Sequence, residues 1–99
     1  TDVAADADLV EGQPLKVSAN DVPVMLLRQH GRLLALASRC THAGGPLDEG
    51  AVKDGCVTCP WHGSRFELAD GSIRRGPASI PQPTFQARVR EGRVEVRAA

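Results

Sequence analysis

Two short segments of the chain each carry a cysteine and a histidine at close spacing. In CTH, Cys40 and His42 are two residues apart, and in CPWH, Cys59 and His62 are three residues apart. Residues i and i+2 of an extended chain point to the same side, so the first segment can direct a thiolate and an imidazole at one centre. Thiolate and imidazole are ligands that proteins offer to zinc and to iron–sulfur clusters. The sequence therefore predicts a metal centre held by two loops.

Two kinds of metal centre fit this ligand set. A structural zinc ion would take all four side chains tetrahedrally, but zinc fingers usually place both cysteines on one loop and both histidines on a helix. Here each loop mixes the two residue types, and no helical pattern follows the second pair. A [2Fe–2S] cluster with two cysteines on one iron and two histidines on the other suits mixed loops, because each loop can then reach both irons. The residues favour the cluster and leave zinc open.

The residues around the two pairs resemble one known family. CTH with PLDEG, followed by CPWHGSRFELADGSIRRGPA, resembles the cluster-binding segment of Rieske iron–sulfur proteins, most strongly over residues 40–78. The resemblance implies one [2Fe–2S] cluster per chain, with Cys40 and Cys59 on the inner iron. His42 and His62 would then bind the outer, solvent-facing iron. It also implies a set of residues that surround the cluster: Leu47, Gly63, Ser64, Phe66 and Pro77.

The differences from the family are informative. Rieske subunits of cytochrome complexes carry a disulfide between the two loops, at the positions that hold Gly45 and Trp61 in this chain. They also carry a tyrosine at the position of Phe66, whereas Ser64 is retained and is expected to donate a hydrogen bond to a sulfide. The chain therefore resembles the soluble ferredoxins and oxygenase domains of the family. With one hydrogen bond fewer, we expect a potential in the lower half of the range of roughly −150 to +300 mV.

Regular turn signals divide the rest of the chain into strand-like segments. The turn dipeptides are His30-Gly31, Asp54-Gly55, Asp70-Gly71 and Glu91-Gly92. Alternating or apolar residues between them predict six strands, at 14–19, 22–29, 33–38, 56–59, 84–90 and 93–98. One helical turn is expected around residues 8–11. The prediction is an all-β, Rieske-type antiparallel sandwich or barrel forming a single domain, 1–99, with a small cluster-binding subdomain of two loops at about 39–78.

Length and composition narrow the possible functions. Twelve acidic and twelve basic residues cancel, which gives little electrostatic support for a nucleic-acid partner. No apolar run approaches the roughly 20 residues that a membrane-spanning helix needs. Three cysteines cannot all pair in disulfides, so metal chemistry in a reducing compartment, the cytoplasm, is expected. We expect a monomer.

The resemblance implies electron transfer rather than catalysis. Rieske oxygenases add a mononuclear iron held by two histidines and a carboxylate. The cluster would use two of the three histidines of the chain and leave only His30. We therefore expect a carrier that takes electrons from a flavin-dependent reductase to an oxygenase or similar acceptor and is not itself an enzyme. Because the chain begins at Thr1, a domain of a larger or membrane-anchored oxidoreductase is the alternative, and a zinc-stabilised interaction module is less favoured.

Four residues near the loops have two interpretations each. Trp61 either covers its loop or marks a docking surface for a partner. Arg74 and Arg75 are either solvated or steer an acidic partner. Cys56 is expected to be a small buried strand residue rather than a reactive thiol.

Overall fold

Short β-strands account for most of the regular structure. The computed structural model describes residues 2–41, 44–61, 63–76, 78 and 80–98. Within these residues the strands are β1 (Asp2–Ala5), β2 (Leu15–Ala19), β3 (Val22–Gln29), β4 (Arg32–Ala37), β5 (Ala51–Lys53), β6 (Cys56–Thr58), β7 (Arg65–Glu67), β8 (Ile73–Arg75), β9 (Thr84–Arg90) and β10 (Arg93–Ala98). The helices are two single 3-10 turns, Asp6–Asp8 and Leu47–Glu49, and neither can span a membrane. The predicted all-β fold is confirmed.

The strands form two antiparallel sheets. The first has the order β1-β10-β9-β4-β3-β2, and its two outer strands, β1 and β2, lie next to each other. The sheet therefore curls into a nearly closed barrel. The second sheet has the order β5-β6-β7-β8 and is formed by the chain between β4 and β9. Cys40 and Cys59, two of the predicted ligands, lie in loops of this insertion.

Two-residue hairpin turns set the register of the strands. In four turns both central residues have positive φ, as type I′ turns require: Asn20-Asp21, His30-Gly31, Asp54-Gly55 and Glu91-Gly92. Three of these were predicted from their glycines, whereas Asn20-Asp21 lacks one. Asp70-Gly71 lies instead in a longer connection, where a Cβ on Gly71 would lie 2.0 Å from the carbonyl oxygen of Gln82. Only glycine fits at that position.

Strand β3 is buried on both faces, which explains its unbroken apolar run. Val24 and Leu26 point into the barrel, where Val94 and Val96 complete the core. Met25 and Leu27 point the other way, into a second core that also contains Phe66 of the smaller sheet. The barrel and the smaller sheet are thus joined across a single strand. The predicted apolar faces of β2 and β9 line the barrel core, although Val89 at the end of β9 is exposed.

The N-terminal helical turn lies earlier than predicted. The sequence placed it at residues 8–11, whereas the 3-10 turn is Asp6–Asp8. Leu9 leaves the turn in an extended conformation and is buried in the barrel core, which ends the helix. The following residues form a separate turn, closed by the amide of Gln13 donating to the carbonyl of Val10 at 3.0 Å. Burial of one leucine therefore overrides the local tendency to form a helix.

Candidate metal centre

The first cysteine lies in a closed loop that follows β4. The amide of Cys40 donates to the carbonyl of Gly45 at 2.8 Å, and the carbonyl of Cys40 accepts from the amide of Gly44, also at 2.8 Å. Gly44 has φ +75°, a conformation that glycine adopts without strain. These bonds close a loop of six residues, 40–45, here called loop 1.

The second cysteine lies in a loop with the same internal hydrogen bonds. The amide of Cys59 donates to the carbonyl of Ser64 at 2.8 Å, and its carbonyl accepts from the amide of Gly63 at 3.1 Å. Gly63 has φ +78°, as Gly44 has in loop 1. This loop, residues 59–64 and here called loop 2, connects β6 to β7. The two cysteines therefore begin two loops with the same backbone closure, although the histidines within them are spaced differently.

Gly45 brings the two loops together. A Cβ on Gly45 would lie 2.7 Å from Sγ of Cys59 and 3.1 Å from Cγ and Cδ2 of Trp61. The sulfur of loop 2 thus lies against the backbone of loop 1, whose Cys40 amide is bonded to the same glycine. Gly45 and Trp61 hold the positions at which the resemblance places a disulfide in cytochrome-complex subunits. Here the two positions are in contact through a tryptophan packed on a glycine.

Both cysteines are buried in one apolar cluster. Cys40 is 3% exposed and Cys59 is 2% exposed, and the cluster includes the fully buried Leu47 and Phe66. Leu47 is fixed because its amide donates to the carbonyl of Ser38 at 2.8 Å. These side chains exclude water from the thiol groups. Two predicted neighbours of the site, Leu47 and Phe66, therefore lie with the cysteines.

Ser64 is fully buried at the end of loop 2. Its Oγ accepts a hydrogen bond from the amide of Ala78 at 3.1 Å, which ties loop 2 to the segment after β8. A hydroxyl that accepts one bond still has its own hydrogen to donate. The role predicted for Ser64, donation to a sulfide, is compatible with this arrangement and stays a prediction.

A third segment holds Thr41, which lies between the two predicted ligands of loop 1. The amide of Thr41 donates to Oε1 of Gln82 at 3.1 Å, and its Oγ1 donates to the carbonyl of Ile80 at 2.7 Å. Nε2 of the buried Gln82 donates to the carbonyls of Ala37, at 2.7 Å, and Arg39, at 2.6 Å. Both the oxygen and the nitrogen of the Gln82 side-chain amide therefore bond to the backbone at and just before loop 1. Sequence reasoning missed it, because a glutamine between two prolines gives no sign of burial.

Three predicted residues, His42, His62 and Pro77, lie outside the described residues. Within the described residues no group of three or more ligand-type side chains is found, and the three cysteines form no disulfide. Cys56 is buried, as predicted, but it lies outside the cluster that holds the other two cysteines. Its Sγ is 4.0 Å from Oε2 of Glu67. Of the three cysteines, Cys40 and Cys59 therefore share one buried core, and Cys56 does not.

The arrangement fits a [2Fe–2S] cluster by the chemistry of its donors. Two buried thiols reach one region from two loops, and the predicted imidazole of each loop follows within three residues. Thiolate ligation on one side and imidazole ligation on the other is the ligand set of a Rieske centre.

Comparison with known proteins identifies the family. The Rieske [2Fe-2S] domain model matches residues 1–86. Human apoptosis-inducing factor 3 is 35% identical over 93% of this chain, which spans 15% of that protein. The anthranilate 1,2-dioxygenase ferredoxin subunit of Burkholderia cepacia is 32% identical, over 90% of this chain and 82% of the subunit.

A solved structure gives the same assignment. A chain in the complex of reduced oxygenase and oxidized ferredoxin of carbazole 1,9a-dioxygenase superposes with a TM-score of 0.88 at 28% identity. The match covers 98% of this chain and 100% of the other. The fold, the paired cysteine loops and the family model agree: this chain belongs to the Rieske [2Fe-2S] domain family, whose cofactor is a Rieske-type [2Fe–2S] cluster.

Proposed function

We propose that this chain is a one-electron carrier with four cluster ligands. Cys40 and Cys59 bind one iron, and His42 and His62 bind the other. One observation carries the proposal: two loops with the same closure each begin with a buried cysteine, and the sulfur of Cys59 lies against Gly45 of the other loop. The cluster-binding subdomain is proposed to span about 39–78 of a single domain, 1–99.

The residues around the cysteines set the conditions for electron transfer. When bound, the cluster takes up and releases one electron without a substrate site. Leu47 and Phe66 keep water away from the sulfur atoms, so less solvent has to reorganise when the charge changes. Gly63 gives loop 2 its shape through its positive φ, and Pro77 is proposed to cover the cluster. Ser64 donates a hydrogen bond to a sulfide and thereby favours the reduced, more negative state.

The proposed partners are a flavin-dependent reductase as donor and an oxygenase or similar acceptor. The names of the Burkholderia cepacia subunit and of the carbazole dioxygenase complex support an oxygenase as acceptor. We propose that the chain has no substrate site of its own and acts as a monomer in a reducing compartment, the cytoplasm. The three cysteines, none of them in a disulfide, support the reducing compartment.

A second candidate is a domain with the same redox chemistry inside a larger oxidoreductase. The match to apoptosis-inducing factor 3 favours it, because this chain corresponds to 15% of that protein. The two candidates have the same metal centre and differ in the protein or domain that exchanges electrons with it. In the larger protein the electron donor or acceptor would be a domain of the same chain. The length of the full-length gene product separates the two.

The ligand set is tested by comparing three cysteine variants of the purified, cluster-loaded protein. Cys40→Ser and Cys59→Ser are expected to abolish the visible absorption and the electron paramagnetic resonance signal of the reduced protein. Cys56→Ser is the matched control and is expected to keep both signals, because Cys56 lies outside the buried core that contains Cys40 and Cys59. Reductive titration of the unchanged protein should consume one electron per two irons.

The histidines are tested by His42→Cys and His62→Cys. Each change adds a negative ligand and is expected to lower the potential, and the signal should move toward that of a four-cysteine cluster. His30→Cys is the control, since His30 lies in the exposed β3–β4 turn. Loss of the cluster in Cys56→Ser with retention in Cys59→Ser would refute the ligand assignment, and bound zinc with no iron would refute the carrier function.

A further inference from the structure

The smaller sheet has one apolar face and one charged face. Val57 of β6 pairs with Val52 of β5 and with Phe66 of β7, which pairs with Ile73 of β8. All four belong to or pack against the core that contains the cysteines. Neighbouring residues of a strand point to opposite faces. The residues next to these four in each strand therefore point to the other face of the sheet.

The outward face is strongly basic. It carries Lys53, Arg65, Arg74 and Arg75 against one acid, Glu67, a sum of +3 in a chain whose formal net charge is zero. The register shift between β7 and β8 leaves Arg74 and Arg75 together opposite Arg65. The alternating pattern of a regular strand would have separated the two arginines.

Arg74 is neutralised within the sheet. It forms a salt bridge with Glu67, and this hydrogen bond raises the pKa of the Arg74 guanidinium above its ordinary value. Arg65 and Arg75 have no ion pair within the described part of the chain, and Nε of Arg65 is buried without a hydrogen-bond partner. They are also direct cross-strand neighbours. Like charges in this position destabilise a sheet, so Arg65 and Arg75 cost folding energy.

The Arg65–Arg75 pair lies at the end of the sheet from which loop 2 emerges. Arg65 directly follows Ser64 and is paired with Thr58, the residue before Cys59. The acids of the sheet's turns, Asp54 and Asp70, lie at the opposite end. Glu49 is exposed before β5, at the same end as the pair. Loop 2 itself presents Trp61, which is 57% exposed.

We propose that the Arg65–Arg75 pair, together with Trp61 of the adjoining loop 2, is a docking site for an acidic surface of the protein that exchanges electrons with the cluster. Carboxylates of the partner supply the counter-charge that Arg65 and Arg75 do not find among the described residues, and Trp61 supplies an exposed apolar contact. The inference rests on the proposed carrier function, and it adds that the docking surface of the partner is acidic. Of the two adjacent arginines, it assigns this role to Arg75 and not to Arg74.

The test uses two small oxidants of opposite charge as probes. The reduced, cluster-loaded protein is mixed in a stopped-flow instrument with ferricyanide, a trianion, or with hexaamminecobalt(III), a trication. One electron passes from each reduced cluster to one oxidant, and reoxidation is followed by visible absorption. Arg75→Glu is compared with Arg90→Glu, which makes the same charge change at the exposed far end of β9, where Arg90 forms no ion pair with any described residue.

Arg75→Glu is expected to slow the reaction with ferricyanide roughly tenfold at low salt and to accelerate that with the cobalt complex. A changed potential would alter both rates in the same direction, so opposite changes identify a local field. The differences should shrink at about 1 M salt, where charges are screened beyond roughly 3 Å. Arg75→Gln should give a smaller change of the same sign, and Arg90→Glu little change.

The same variant has a second expected signature. Arg75→Glu replaces a like-charged pair with an oppositely charged one, so its melting temperature should rise by about 1–5 °C while its reaction with ferricyanide slows. Equal effects of Arg75→Glu and Arg90→Glu on both oxidants would overturn the docking site. Failure of the unchanged protein to accept and release an electron would instead overturn the carrier function, and the docking proposal with it.

Discussion

Gln82 and Thr41 are joined by a hydrogen bond between a buried side chain and a cluster-loop amide. Oε1 of Gln82 accepts from the amide of Thr41 at 3.1 Å, while Nε2 donates to the carbonyls of Ala37, at the end of β4, and Arg39, just before loop 1. Gln82 precedes β9, and Thr41 separates the two predicted ligands of loop 1. The barrel therefore controls the position of a residue next to the metal centre.

Replacing Gln82 with leucine should destabilise the protein and loosen the cluster. The change removes three part-buried hydrogen bonds, to two carbonyls and one amide, which we expect to cost about 2–4 kcal/mol in the free energy of unfolding. The urea midpoint should fall, and a chelator should bleach the visible absorption faster. Gln86→Leu is the control, because Gln86 is exposed on β9. Equal chelator sensitivity in the two variants would show that Gln82 does not position loop 1.

Replacing Gly45 with alanine should reduce the amount of cluster in the protein. The new methyl group would lie 2.7 Å from Sγ of Cys59, a proposed ligand, so this sulfur or loop 1 has to move. We expect iron content and visible absorption per chain to fall at least twofold. Gly44→Asn is the control, because Gly44 has open space around it and asparagine tolerates positive φ. Full iron content in Gly45→Ala would contradict the contact between the loops.

Replacing Phe66 with tyrosine should raise the reduction potential. Phe66 is fully buried in the cluster of residues that holds both cysteines, so a hydroxyl there can donate toward a cysteine sulfur. One hydrogen bond of about 1–1.5 kcal/mol that favours the reduced state corresponds to roughly 40–65 mV for one electron.

Replacing Ser64 with alanine should lower the potential by a similar amount, and Ser18→Ala, on the exposed part of β2, should not change it. Protein-film voltammetry measures all three variants. An unchanged potential in Phe66→Tyr would remove Phe66 as a cause of a low potential.

The ion pair between Asp2 and Arg93 should make stability depend on pH at the acidic end. Arg93 donates two hydrogen bonds to Oδ1 of Asp2, at 2.8 and 3.0 Å, and one to Oδ2, at 3.1 Å, joining β1 to β10. The hydrogen bonds from Arg93 lower the pKa of Asp2 below its ordinary value of 3.8. The stabilisation is therefore complete above pH 3.8 and is lost as the pH falls through the lowered pKa.

Thermal unfolding of Asp2→Asn and of the unchanged protein should show this dependence. The variant should melt at a lower temperature near pH 7, and the difference should disappear under strongly acidic conditions. Asp54→Asn is the control, because Asp54 lies in a turn and has no ion pair among the residues described. A difference that persists at the acidic end would mean that the ion pair is not its source.

The longer strands were predictable because their residues alternate or because a turn dipeptide bounds them. Strands β9 and β10 have the bounds that the sequence predicts, 84–90 and 93–98. Strands β5, β7 and β8 were missed, because three residues are too few to show a period of two. Strand β1 was missed because DVAA lacks the β-branched and aromatic residues typical of strands, apart from Val3.

The centre itself was predictable from residue types, whereas its supports were not. Cysteine and histidine have few roles as close pairs, so Cys40 and Cys59 stood out. The burial of Gln82 depends on a contact with residues about 40 positions away, which no local pattern encodes. The different surroundings of Arg74 and Arg75 depend on a register shift between two strands of three residues each. Tertiary contacts decide both features.

The two-sided burial of β3 has a consequence for the protein without its cluster. Met25 and Leu27 form one wall of the compartment around the cysteines, and Val24 and Leu26 form part of the barrel core. Met25 and Leu27 would therefore form one side of the site that holds the cluster. Because β3 contributes to both cores, loss of the cluster should loosen its packing. We expect the protein without its cluster to exchange the amide hydrogens of β3 faster than the loaded protein.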